Sequence, residues 1–157
     1  MQPRDGLTES SQPTQVSAEA ENLKPYALSR RIAAVVTGWL VPGAGHAILG
    51  CYRRAVLFFV LIAGSFFFGL ALHGKLFWPT VTEPRSTFHY DLISVLWTFA
   101  QFGSGLCYLG SMAAGLGVKS MPEAVTYEYG NTFMFLAGLL NYLVVHDAFD
   151  IAAGRKP

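Results

Sequence analysis

The residues of this chain best suited to chemistry lie at two places in otherwise uncharged apolar sequence. Near the C-terminus, Asn141-Tyr142-Leu143-Val144-Val145-His146-Asp147-Ala148-Phe149-Asp150 sets His146 four residues and Asp147 three residues before Asp150, so each pair can share a helix face. Carboxylates there oppose the helix macrodipole and are costly within a membrane segment, so each calls for a partner. One chemistry this permits is a proton or cation relay with Asn141 deeper in the bundle; another is a clamp on a second subunit. The plainer role is an interfacial cap, in which the carboxylates meet water, Arg155, Lys156 or the basic residues ahead of the first helix.

The second place is Trp39-Leu40-Val41-Pro42-Gly43-Ala44-Gly45-His46-Ala47-Ile48-Leu49-Gly50-Cys51-Tyr52-Arg53-Arg54. Proline removes a helix hydrogen bond and crowds the preceding turn, and glycine permits backbone shapes other residues resist. His46 follows Gly43-Ala44-Gly45, where exposed amides beside an imidazole can serve a proton, a lipid headgroup or an anion. The structural alternative is that His46 bonds backbone freed by Pro42 or sits at headgroup level. One histidine makes no metal site, and Cys51 and Cys107 lack ligand spacing, so no metal or cofactor is expected.

These residues must be positioned by an apolar scaffold. Of 157 residues, 52% are hydrophobic and 13% charged, which points to a membrane class and one small domain. The net charge of +1 offers no basic surface for nucleic acid. Residues 1–28 form a polar N-terminal tail rich in Ser, Thr, Gln, Glu and Pro, expected to be disordered, and 29–157 form the helical domain.

Four apolar segments, about 32–50, 55–73, 92–117 and 132–152, predict an all-α integral membrane bundle of four transmembrane helices, the first broken at Pro42-Gly43. With four crossings, Arg4, Lys24, Arg30, Arg31, Lys75, Arg85, Arg155 and Lys156 lie on the inner side and Arg53, Arg54 and Lys119 outside. With a re-entrant first segment and three crossings, Arg53 and Arg54 move inside. The four-crossing arrangement is preferred, with both termini cytoplasmic and Arg53-Arg54 on the outside as its weakest point. Gly103, Cys107, Ser111 and Gly115, spaced by four, predict a small-residue ridge that puts the third segment at the bundle centre.

No enzyme constellation stands out: there is no phosphate-binding glycine loop, Gly-x-Ser-x-Gly, His-Glu-x-x-His or Cys-x-x-Cys. The loop from Gly74 to Asp91 can carry a binding surface but forms no catalytic set, and Glu123 and Glu128 suit a solvated outer loop. Ser29-Arg30-Arg31 and Ile48-Leu49-Gly50-Cys51 loosely resemble secretion and lipidation signals, but bulky Leu49 and the translocation required of Arg53-Arg54 argue against cleavage there.

Pro42-Gly43-Ala44-Gly45-His46 with Leu49-Gly50 and Tyr52-Arg53-Arg54 resembles the core of the TM-two type of two-helix membrane domain, over roughly residues 30–74. It departs from that pattern at Ala47, Ile48 and Cys51. The last segment, from Ala137 to Lys156, is similar to the C-terminal helix of an uncharacterised family of small bacterial inner-membrane proteins. The resemblances imply a fold and a bacterial cytoplasmic-membrane location but no activity. The functional expectation is a non-catalytic accessory or assembly subunit in the lipid bilayer, with a membrane-protein partner or a homo-oligomer. Its alternative is a small transporter or ion-conducting protein using His46, Asn141, His146, Asp147 and Asp150.

Overall fold

The computed structural model describes residues 25–78, 92–117 and 122–156, and every regular element among them is helical. In chain order these are α1 (Leu28–Leu40), α2 (Ala44–Ile48), α3 (Tyr52–Ala71), α4 (Leu92–Phe102), α5 (Leu106–Ala113) and α6 (Tyr127–Ala152). The expected polar tail lies outside the described residues as far as residue 24, as do residues 79–91 of the long loop. α3, with 20 residues, and α6, with 26, are each long and apolar enough to cross a membrane. α4 and α5 reach that standard only as a pair, and the pair is bent by 111°. The described helices therefore provide two candidate spans, or three if the bent pair is one, and four crossings are not established.

The first apolar segment folds back on itself. Pro42 drives Val41 into extended backbone, φ −124° and ψ 114°, which stops α1 at Leu40. Gly43 then takes φ 81°, a region a side chain resists, and reverses the chain. α2 returns along α1: Arg30 Nη2 donates to the Ile48 carbonyl at 2.8 Å, and Gly45 lies so close to α1 that a Cβ there would be 2.5 Å from the Ala34 oxygen. Tyr26 N donates to the Ala152 carbonyl at 3.0 Å, so the start of α1, the end of α2 and the end of α6 share one end of the bundle. Arg53 and Arg54, in the first turn of α3, stand at that end too, not across the bundle from Arg30 and Arg31 as four crossings require.

Gly45→Ala is accordingly expected to push α1 and α2 apart and cost about 1–3 kcal/mol, the usual range for overpacking. Thermal unfolding in mild detergent measures this. Gly64→Ala, where an added Cβ meets nothing within 4 Å, should leave the midpoint unchanged.

The third segment, expected as one helix, is interrupted at Gly103-Ser104-Gly105, where Gly105 adopts φ 57° and ψ −117°. α4 runs inward alongside α6: Trp97 packs on Phe135 at 4.8 Å between ring centroids, Ala100 meets Gly138, and Gly103 meets Gly138 and Tyr142. After the bend α5 leads back to Gly117, whose carbonyl accepts from Leu76 N at 3.1 Å. The predicted small-residue ridge does not form, because Gly103 lies in the break and Gly115 in an open turn with φ 69°. Between them, Ser111 is buried and Cys107 half-buried. Bundle centre belongs instead to α6, which packs on α1, α2, α3 and α4. Its buried Gly130, Met134, Ala137, Gly138, Asn141, Val144 and Ala148 recur every three or four residues. Against α3 the approach is close: a Cβ on Gly69 would lie 2.6 Å from the Gly130 oxygen. Such contact between small residues is a main source of helix association in lipid.

Candidate functional site

His46 and Asp147, far apart in sequence, are brought together because α2 folds back onto the last third of α6. His46 Nε2 lies 3.1 Å from Asp147 Oδ2, and His46 is fully buried while Asp147 is 31% exposed. Asp147 Oδ1 accepts from Lys156 Nζ at 2.8 Å, which marks the carboxylate as ionised. His46 Nε2 is therefore the protonated, donating nitrogen, while Nδ1 faces apolar surroundings without a partner; the Phe58 ring lies 5.0 Å away. The arrangement is a short polar chain from a buried imidazole to the surface at one end of the bundle.

Lys156 is held charged above its ordinary range, first by its hydrogen bond to Asp147 and then by the same carboxylate's field. A group whose folded pKa is raised contributes fully below its unfolded value, and the contribution disappears as pH climbs through the raised one. The pair is thus intact at neutral pH. Asp147→Ala leaves both ring nitrogens of a buried histidine unbonded, at an expected loss of about 1–3 kcal/mol. Asp147→Asn keeps an acceptor for Nε2 and should lose less. Unfolding in detergent of the two variants side by side tests this.

A second polar cluster lies where the breaks meet. Asn141 Nδ2 donates to the carbonyls of Gly38 and Trp39, both at 3.2 Å, and of Gly103 at 2.8 Å. One amide thus joins the inner end of α1, the turn after α4 and the middle of α6. Irregular backbone in a nonpolar interior needs such internal partners, since no water is at hand. Asn141 Oδ1 is buried without one.

The same logic governs the extended segment after α3. Lys75 N donates to Asn131 Oδ1 at 2.8 Å, Gln101 Nε2 donates to the Lys75 carbonyl at 2.9 Å, and Gln101 Oε1 accepts from Phe77 N at 3.0 Å. Tyr108 OH closes the set on the Phe77 carbonyl at 2.6 Å.

Of the residues singled out by sequence, His46 and Asp147 form a direct pair. Asn141 lies deeper, on the junction. Asp150 joins Arg155 at 3.2 Å and stands 3.9 Å from Lys156, as an interfacial cap would have it. His146 lines a groove between α1 and α6, away from His46. Arg53 and Arg54 are exposed at the cation-rich end, with Arg54 close enough to Lys156 to oppose its charge. Cys51 and Cys107 are free, and among the described residues no three His, Cys, Asp or Glu side chains cluster as metal ligands.

Gln101, Asn131 and Tyr108 escaped the sequence reading, although a lone amide in an apolar run is itself a signal for a freed backbone group. So did a repeat. Gly43-Ala44-Gly45-His46-Ala47-Ile48-Leu49-Gly50 and Gly103-Ser104-Gly105-Leu106-Cys107-Tyr108-Leu109-Gly110 share the pattern Gly-x-Gly-x-x-x-Leu-Gly. Both copies sit at a break in the helical backbone, and the helices that lead into them, α1 and α4, enter the bundle from opposite ends.

These features define an all-helical protein with two or three helices fit to cross a membrane, built around two backbone breaks held by buried side chains. The chain belongs to DUF6677, a family of unknown function, which it matches over residues 33–157. No curated protein and no solved structure matches it.

Proposed function

We propose that this chain is a multi-pass protein of the bacterial cytoplasmic membrane that acts without catalysis, as an accessory or assembly subunit presenting its folded-back first segment to a membrane-protein partner or a second copy. The observation that carries this is the use of the interior polar groups: Asn131, Gln101, Tyr108 and Asn141 each bond irregular backbone instead of lining a continuous path. On the outer side of the first segment, Pro42, Ala44, Ala47, Ala55, Val56 and Phe59 line a shallow apolar depression of about 240 Å³. Small residues at such a place let another helix come close, which is how association proceeds in lipid.

A photoreactive probe on Ala47→Cys in native membranes should trap one reproducible adduct, and a probe on Gly64→Cys should not. Absence of any adduct at Ala47 sinks the assignment.

A second function is favoured by one observation, the His46–Asp147 pair on the side of the bundle where α1 descends to Asn141. It is proton or cation conduction. Flux into liposomes that Asp147→Asn abolishes would establish it, and wild-type liposomes no leakier than empty ones would end it.

A further inference from the structure

We propose that the groove between α1 and α6 seats one acyl chain of an anionic phospholipid, with the phosphate at Arg31. The groove holds about 590 Å³ and is walled by Ile32 and Val35 of α1 and Val145 and Phe149 of α6, with Arg31 and His146 also on its lining. A flexible hydrocarbon chain can follow an apolar groove of this size, and a basic residue on its lining favours a lipid over a second apolar helix.

The chain's own polar tail does not suit it either. Residues 1–24 offer Leu7, Val16 and Leu23 scattered among Ser, Thr, Gln and Glu, with no apolar run to lay between the walls.

Charge selects the headgroup. Arg31 is anchored by its Nε bond to the Tyr26 carbonyl at 2.8 Å, so its guanidinium is held beside the groove. The same end of the bundle carries Arg30, Arg53, Arg54, Arg155 and Lys156 against Asp147 and Asp150. A phosphate placed there gains from that field, since each basic residue near an anionic lipid surface favours binding by about fivefold. The groove residues of α1 lie on a different face from Ala34 and Gly38, which meet α2, and none of them lines the depression beside Ala47, so lipid binding and partner binding fail independently.

The test uses the full chain in bilayer discs of phosphatidylcholine with phosphatidylglycerol, a fraction of each lipid carrying a photoreactive acyl chain. Peptide mapping should place phosphatidylglycerol adducts on α1 and α6 at the groove walls, in preference to phosphatidylcholine. Arg31→Gln should reduce those adducts about fivefold, and Val35→Trp, which fills the groove, should reduce adducts from both lipids. Mapping on the wild-type chain keeps the proposal testable if Val35→Trp fails to fold. Equal labelling by the two lipids, adducts spread over α3 as much as the groove, or a protein in place of lipid at Val35 would each overturn it.

Discussion

Asn141→Leu should destabilise the fold by about 2–4 kcal/mol, more than any other single change of a polar side chain considered so far. Leucine keeps the branched shape of asparagine but is larger, so at this fully buried site some overpacking adds to the loss of bonding. Three carbonyls, those of Gly38, Trp39 and Gly103, would then face a nonpolar interior without a donor. Interhelical hydrogen bonds in membranes average about 0.6 kcal/mol and reach about 1.7 kcal/mol. Orphaning a buried acceptor adds its desolvation cost of about 1–3 kcal/mol. Titration with a denaturing detergent measures the change. Faster alkylation of Ser104→Cys in the Asn141→Leu background should show that the two breaks have come apart. Asn141→Asp is the sharper control: it has the same shape but turns acceptors toward acceptors, and should be no more stable than the leucine variant at neutral pH. Wild-type stability in Asn141→Asp would mean that the amide does not hold the junction.

The reason Asn141 matters was only partly legible in the sequence. Its position in an apolar segment marks it as needing a partner, but its bonds go to the backbone, which no sequence motif displays. Pro42-Gly43 is different, since proline and glycine act on their own backbone, and the break falls where they stand. The break at Gly103-Ser104-Gly105 has no proline. Its glycines read as a packing ridge because helical spacing alone cannot tell a small residue that lets a neighbour approach from one that ends the helix. The repeated Gly-x-Gly-x-x-x-Leu-Gly would have separated the two readings, since the first copy follows a proline break.

The pairing of His46 with Asp147 was hidden for another reason. Both residues were visible as candidates, but which face of α6 meets α2 depends on the reversal at Gly43 and on Gly45 lying against α1. His146 and Asp147 are neighbours in sequence and point to different sides of α6, one to the groove and one to the imidazole. Tertiary geometry chose between them. The end of α6 followed more directly from composition, because Arg155 and Lys156 lie within reach of Asp150 in the chain itself.

Arg53→Cys should react with a membrane-impermeant maleimide on the same side as Lys156→Cys, and Lys75→Cys on the opposite side, in a chain also carrying Cys51→Ser and Cys107→Ala. The expectation rests on length first. α1 has 13 residues, about 20 Å of helix, against a hydrocarbon core of about 30 Å. It then reverses, and the Arg30 bond to Ile48 closes the return. Charge agrees with length. The end shared by both described termini carries Arg30, Arg31, Arg53, Arg54, Arg155 and Lys156, while Lys75 is the basic residue described at the other end, with Glu123 and Glu128. Such an imbalance directs the basic end to the cytoplasm. In intact cells the Arg53 and Lys156 positions should therefore be protected and Lys75→Cys labelled, with the pattern inverted in inside-out vesicles. If Lys75→Cys instead labels with Lys156→Cys and Arg53→Cys labels on the opposite side, the first segment crosses the bilayer and the arrangement of four crossings stands. If Arg53→Cys labels with Lys156→Cys, Arg53 and Arg54 no longer have to be translocated, and the conflict that four crossings created with the positive-inside rule disappears.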